Sequence, residues 1–415
     1  MTLESAIGAS PYEALDSPEG AALLDALAGF DEEHAAAAAQ RARSLATPDV
    51  ARAALATTFA RRRARASGKF ADPDSMFFTR AGYEQSTSEA VARHRAGRFA
   101  GMSAVAELCC GIGSDTIALA ERVDRVHACD LDPDALACAS YNVRARGMDH
   151  KVKLTPGDAS QVSLEGMSAA FADPSRRPRD ERVRDVEAYS PPLQALLARA
   201  HELPGGRLSV KVAPGIDLAD LSITASLRGL PLEAEFISER GTCKEAALWC
   251  GAFARADDAR SATAIDASGV HVIDGDPSIV GETGPIQDHV GEPDPAVIRS
   301  CLLGALCANR HWRVLDRRVA YVTNDKPVDD TFVHWYRVRD LMTFGIKRLR
   351  EYLRERNIGE LVIKTRAFPL KPDELRILLK PHGSNKATLI CTTIQGKKTA
   401  IVCDAVQRPN VAVEL

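Results

Sequence analysis

The residues best placed to do chemistry stand at four successive strand ends. Val105-Ala-Glu-Leu-Cys-Cys-Gly-Ile-Gly-Ser-Asp-Thr116 reads as a buried strand that stops at a two-glycine turn and passes directly into a helix. Within it Glu107, Cys109, Gly111 and Gly113 form a Glu-x-Cys-x-Gly-x-Gly pattern. A turn with little Cβ lets backbone N–H groups approach a ligand closely. A second strand, Arg125-Val-His-Ala-Cys-Asp-Leu-Asp132, ends in Asp130 and Asp132, and an acid there can accept both hydroxyls of a ribose. Gly157-Asp158-Ala159 closes a third strand, and Asp173-Pro174-Ser175-Arg176-Arg177 closes a fourth. A glycine-lined end beside an acidic one predicts a nucleotide-like cofactor.

These motifs need elements to hold them. At 415 residues the chain predicts two or three domains. Hydrophobic content of 45% with 26% charged residues is that of a globular protein. No apolar run reaches the length of a membrane span, and the start lacks the regions of a secretory signal, which predicts a cytoplasmic protein with no membrane partner. The ten cysteines include no Cys-x-x-Cys pair, so no metal site is expected and the thiols read as buried small hydrophobes. The net charge of −3 hides an asymmetry. From Thr331 onward sixteen Lys and Arg face eight Asp and Glu, a balance of +8 that leaves −11 for the first 330 residues. A basic tail on an acidic body predicts a polyanion partner, nucleic acid first, or else a merely solvated helix face.

The predicted organisation is α/β. Residues 1–100 form a helical N-terminal region, with Ser88 capping a helix to Phe99. Residues 101–256 alternate strands and helices, the mark of a parallel sheet covered on both faces. Asp132-Pro133 makes a helix start and Gly147 its stop. Strands are expected at Val152–Leu154, Ala169–Ala172 and Arg207–Val212. Glu233–Glu239 and Cys243–Trp249 lie too close together for an intervening helix and should form a hairpin. Residues 257–330 read as a linker with connecting elements: a short hairpin at Ser268-Gly269, a helix over Ala296–Leu306 and a strand at Val319–Val322. Residues 331–412 read as a basic α+β domain: helix Thr343–Arg356 stopped by Gly359, strand Leu361–Thr365, helix Pro372–Lys380, and a hairpin of Ala387–Ile394 and Lys398–Asp404. On its first helix Ile346, Leu349 and Leu353 should be buried, with Lys347, Arg348, Arg350 and Arg354 facing solvent.

Taken in order, the four strand ends resemble those of a class I S-adenosylmethionine-dependent methyltransferase with a Rossmann-like, mostly parallel seven-stranded sheet. A nicotinamide-binding unit would want a third glycine where Thr116 stands. The resemblance implies that Glu107, Cys109, Gly111 and Gly113 hold the methionine end of the cofactor. It implies that Asp130 holds the ribose, with Asp132 a second candidate, and that Asp158 and Ala159 meet the adenine. Without it, Glu107 is an acid paired with a nearby Arg, Asp132 a helix cap and Asp158 a turn acid. Related enzymes acting on exocyclic amines carry Asp/Asn-Pro-Pro-aromatic at the fourth strand end. Here Asp173 and Pro174 are kept, while Ser175 and Arg176 replace the second proline and the aromatic. Asp173, Pro174 and Arg176 are therefore the candidate catalytic residues, with Arg176 and Arg177 stacking on a base or gripping phosphate.

Uridine-carbon methylation would also need a nucleophilic cysteine; Cys243 is the candidate by position, although it more naturally starts a strand. Tyr83–Arg95 resembles the substrate-side approach segment of trimethylguanosine synthase-type enzymes. Phe344–Arg350, Val362–Arg366 and His382–Lys386 resemble a THUMP-like C-terminal domain, which implies RNA as partner with Lys347, Arg348, Arg350 and Arg354 as contacts. The expectation is a methyltransferase acting on an exocyclic amine of RNA. The rivals are methylation of a protein or small molecule, and a non-catalytic RNA-binding protein that keeps the cofactor fold.

Overall fold

The computed structural model describes residues 10–175, 188–216, 229–326 and 328–405. It divides into two compact units, Met1–Glu233 with Ala246–Asp258, and Ala234–Glu245 with Ala259–Leu415.

The first unit opens on α1 (Pro11–Leu15), α2 (Pro18–Leu27), α3 (Ala35–Leu45) and α4 (Pro48–Ser67). Three of these begin with proline behind Ser10, Ser17 or Thr47, because the N–H that proline lacks has no helical partner at that position anyway. The alanines that dominate the sequence here become the contact surface: Ala42, Ala51, Ala54, Ala60 and Ala64 are buried against Leu23, Leu27, Phe77 and Phe78. α5 (Arg80–Gln85) and α6 (Glu89–Ala96) follow. Ser88 holds the N-cap position of α6 but makes no side-chain cap, since its hydroxyl is buried and the first helical N–H donates to the Lys69 carbonyl.

The alternating part comprises β1 (Val105–Leu108), α7 (Ser114–Ala120), β2 (Val126–Asp130), α8 (Pro133–Ala145), β3 (Val152–Pro156), β4 (Ala169–Ala172), α9 (Leu193–Ala198) and β5 (Leu208–Val212). Then comes a hairpin of β6 (Leu232–Glu239) and β7 (Thr242–Cys250), turning at Arg240-Gly241, both with positive φ. In the first unit the strands run in the order β3-β2-β1-β4-β5-β7. The first five are parallel, and β7 is antiparallel to β5. β1 and β4 are buried along their whole length, as strands covered on both faces must be. The order reverses between β1 and β4, and register sets Leu108 level with both Cys129 and Ala172. The loops after β1, β2 and β4 therefore open at one edge, where ligands bind in sheets of this kind.

The second unit carries β6, β8 (Arg260–Asp266) and β9 (Gly269–Gly275), paired in that order. A seven-stranded sheet follows, built from β10 (His289–Pro293), β11 (Arg313–Asp316), β12 (Val319–Asn324), β13 (Val333–Thr343), β14 (Ile358–Arg366), β15 (Asn385–Ile394) and β16 (Lys397–Ala405). Its order is β11-β12-β10-β13-β16-β15-β14. The helices are α10 (Pro295–Arg299), α11 (Leu303–Arg310), α12 (Ile346–Glu355) and α13 (Pro372–Leu379). The stretch read as a linker with connecting elements holds β8 to β12 with α10 and α11. Its glycines mark tight packing: a Cβ on Gly304 would lie 1.8 Å from the Ile279 carbonyl oxygen. The helix expected over Ala296–Leu306 is two, broken where Cys301 takes φ 62. α12 ends at Glu355 and the chain turns away at Asn357, in the left-handed region at φ 52, while Gly359 lies inside β14.

Candidate active site

β1 feeds the chain into a loop where Cys109 (φ 65), Gly111 (φ 55) and Gly113 (φ 84) are all left-handed. The two glycines are needed for different reasons. A Cβ on Gly113 would press on Ala139 of α8 at 3.2 Å, so Gly113 serves helix packing, whereas a Cβ on Gly111 would meet nothing within 4 Å. The backbone at Gly111 is open to a cavity of about 770 Å³. The loop is pinned from behind by Asn142 of α8, whose buried amide donates to the carbonyls of Ile112 (2.9 Å) and Phe77 (3.0 Å) and accepts from the Phe77 N–H (2.7 Å).

The cavity gathers residues from all four strand ends: Cys109, Gly111, Asp130, Asp132, Asp158, Ala159, Asp173 and Pro174. Its remaining wall includes Gln85 of the approach segment, with Thr79 and Gly82 just ahead of that segment. Asp130 is held by backbone donors, Gly111 N–H to Oδ2 (2.8 Å) and Asp132 N–H to Oδ1 (3.0 Å), while burial pushes its carboxyl above the ordinary range. Asp132 caps α8 through the Asp134 N–H (2.9 Å) and still lines the cavity. Asp158 accepts from the N–H and hydroxyl of Ser160 at 2.8 and 2.7 Å, and those bonds hold its carboxyl below the ordinary range. Ala159 is fixed through its carbonyl, which accepts from Arg199 at 2.6 Å. Between these acids Leu131 stands 68% exposed, an apolar surface at the cavity rim that sequence reading passed over.

Glu107 and Gly113 do not line the cavity. Glu107 is buried beneath the loop, and its Oε2 has no partner among the described residues. Burial first, and then Asp115, hold its carboxyl well above the ordinary range.

Asp173 follows β4, its N–H bonded to the Leu108 carbonyl at 3.0 Å, which draws the acid to the glycine loop. Its Oδ2 accepts from Lys211 Nζ of β5 at 2.6 Å. Lys211 is buried and also donates to the Thr87 hydroxyl (2.9 Å), which donates in turn to Asp115 Oδ2 (2.8 Å). The buried guanidinium of Arg95 completes the chain by pairing with Asp115, its Cζ 4.3 Å from the Phe171 ring centroid. Sequence reading missed this network. The available signal was a lone Lys inside Leu208-Ser-Val-Lys-Val212, since a lysine in a strand buried on both faces requires an anion. Ser175 pairs with Ser190 through two backbone bonds of 3.0 Å, and Pro191 and Pro192, next in the chain after Ser190, line the cavity. Arg176 and Arg177 lie outside the described residues.

Cys243 sits in β7 and does not line the cavity; burial pushes its thiol up to about 12, a poor nucleophile. In the second unit, α12 buries Leu349 and Leu353 and half-buries Ile346, with Lys347, Arg348, Arg350 and Arg354 exposed. Arg350 is already engaged with the Leu378 carbonyl at 2.6 Å, while Lys347, Arg348 and Arg354 have no partner among the described residues. Among those residues no three metal-ligating side chains gather, and no helix is long and apolar enough to cross a membrane.

Three family models match the chain: a domain of unknown function over residues 11–64, RNA cap guanine-N2 methyltransferase over 102–194, and THUMP domain-like over 333–405. The crystal structure of a methyltransferase candidate from Porphyromonas gingivalis W83 superimposes with a TM-score of 0.71 at 21% identity, covering 91% of this chain and 100% of that one. Sequences from two strains of Mycobacterium tuberculosis, each described as an uncharacterized S-adenosylmethionine-dependent methyltransferase, are 32% identical over 360 residues, 85% of this chain and 96% of theirs. The four strand ends meet in one cavity and the likeness runs nearly end to end: the chain belongs to the S-adenosylmethionine-dependent methyltransferases.

Proposed function

We propose that this protein methylates an exocyclic amine of an RNA base. The carrying observation is that the acidic end of β2 and the Asp173-Pro174 corner open into one cavity. The residues present fit S-adenosylmethionine. The backbone at Gly111 is unobstructed, Asp130 and Asp132 offer carboxylates, and Leu131 offers an apolar face beside Asp158. When bound, the cofactor supplies an electrophilic methyl on a sulfonium. Gly111 and the carboxylates of Asp130 and Asp158 would hold and orient it, with Glu107 supporting the loop from below. Such a transfer needs alignment above all, with the acceptor's lone pair in line. Asp173 and the Pro174 corner would fix an amine by accepting its N–H, and Arg176 would stack on or clamp the nucleotide. Nitrogen is favoured over carbon because the one positional candidate for a nucleophile, Cys243, is outside the cavity with its thiol pushed up.

RNA is favoured by the match of residues 102–194 to an RNA methyltransferase family, by the THUMP domain-like match, and by the exposed Lys347, Arg348 and Arg354 of α12, which have no partner among the described residues. Domain roles follow: 101–256 for transfer, 331–412 for RNA capture, in the cytoplasm. The test is nucleoside mass spectrometry of RNA from a deletion strain, joined to calorimetry of S-adenosylmethionine on the wild type and Asp130→Ala. A missing methylated nucleoside and a Kd raised about 10-fold or more are expected, since each lost hydrogen bond to a charged group is worth about 1.5–3 kcal/mol. Unchanged RNA in every class would refute the substrate, and equal Kd values would refute the ribose assignment.

A further inference from the structure

The geometry points to Lys211 as the positioning residue of the transfer step, holding Asp173 so that one carboxylate oxygen faces the acceptor amine. The inference rests on the amine-methylation reading and specifies how that site is set. Lys211 comes from β5, beside β4, and its ammonium meets Asp173 Oδ2 at 2.6 Å. With Oδ2 taken, Oδ1 is the oxygen left to receive an N–H from the cavity. The second donor bond of Lys211, to Thr87 Oγ1 at 2.9 Å, restrains the ammonium from the approach segment. Thr87 has a single proton and gives it to Asp115 at 2.8 Å, so its lone pairs must face Lys211 and Arg95. Two cations and two carboxylates thus alternate from the approach segment to the acceptor acid, and Asp115 lies in the first turn of the helix that follows the glycine loop.

In the step so organised, the amine nitrogen's lone pair forms the new N–C bond. The C–S bond breaks with its electron pair passing to sulfur, and the nitrogen's surplus proton passes to Asp173 Oδ1 and on to solvent. Lys211 transfers no proton; its ammonium keeps the carboxylate fixed and its charge balanced before and after. An anionic acceptor so presented rewards a group that carries N–H and rejects a bare carbonyl or ring nitrogen, whose lone pairs would face it.

The test uses the full-length protein with Lys211→Met, Lys211→Arg, Asp173→Ala and Asp173→Ala/Lys211→Met. For Lys211→Met the expected result is kcat on RNA down about 100-fold, the scale of losing one positioned acid–base group, with the calorimetric Kd for S-adenosylmethionine within about 3-fold. Lys211→Arg recovers part of kcat. In thermal melts Asp173→Ala falls several degrees below wild type, because it strands a buried ammonium, and the double variant recovers much of that loss. An active wild type whose Lys211→Met keeps kcat overturns the inference, as does a variant that loses cofactor affinity and activity together. If the wild type leaves RNA unmethylated, the substrate reading fails separately. The melts then decide whether Lys211 holds Asp173, and additive single effects overturn it.

Discussion

Asn142 offers the sharpest test of how the fold holds the site. It lies on α8, away from the cavity, and its fully buried amide makes three bonds: to the Phe77 N–H, the Phe77 carbonyl and the Ile112 carbonyl. Replacing it with Leu keeps the volume roughly constant and strands three backbone groups. Each stranded buried group costs about 1–3 kcal/mol, about 3–9 kcal/mol for the three, and leucine's own burial returns about 2 kcal/mol, which leaves a net loss of about 1–7 kcal/mol. At about 2–4 °C per kcal/mol the melting point of the first unit should fall about 10 °C. Asn142→Asp separates hydrogen bonding from shape. Aspartate has the same outline but turns lone pairs toward two carbonyls, so it should be at least as damaging. Ile112 belongs to the glycine loop at the cavity and Phe77 leads into the approach segment, so on the proposed reading cofactor affinity should drop about 10-fold as well. Scanning calorimetry with and without S-adenosylmethionine reads both quantities. An Asn142→Asp protein melting within about 2 °C of wild type, with unchanged Kd, would refute the account.

Other perturbations follow from the same geometry. Glu107 has its folded-state pKa raised by burial. Its favourable contribution is therefore complete below the unfolded value and is lost as pH rises through the raised one. Glu107→Gln should flatten that decline, seen in melts taken at pH values rising from the ordinary carboxyl range; identical profiles would count against a buried neutral acid. Gly82→Ala places a methyl 2.3 Å from Ile112 Cγ2 and 2.7 Å from Thr79 Oγ1, so it should weaken cofactor binding in calorimetry while leaving the secondary structure intact by circular dichroism. The Lys347→Gln/Arg348→Gln/Arg354→Gln protein should bind RNA more weakly, and its slope of log affinity against log salt should be smaller by about 2 if the three cations contact phosphates of single strands. An unchanged slope would place RNA elsewhere.

Much of this architecture was legible because local signals agreed. The run Val105–Thr116, the Asp132-Pro133 start, the Gly147 stop and the hairpin of Ala387–Ile394 with Lys398–Asp404, whose turn residues Gln395 and Gly396 take positive φ, each carry a local physical reason, and each formed in place. Two kinds of feature escaped. The first is packing glycine: Gly304 looks like a linker residue until the chain it touches is known. The second is long-range pairing. Lys211 and Asp173 stand 38 residues apart, and Lys211 and Thr87 stand 124 apart. Single-sequence patterns register the oddity of a buried lysine without naming its anion. Asn142 was still less visible, since asparagine on a helix is ordinary until its amide is seen bonding two other segments.

The hairpin carries a consequence for how this protein can be taken apart. One of its strands falls largely to each compact unit, so the two bodies are interleaved along the chain: Ala234–Glu245 goes with the later residues and Ala246–Asp258 with the earlier ones. No single cut yields either body whole. A fragment ending at 233 lacks the strand that borders β5, and one ending at 258 carries a dozen residues that have lost their partner strand β8. A break in the chain at this point would be penalised by the folding of both bodies, so they stand or fall as one polypeptide.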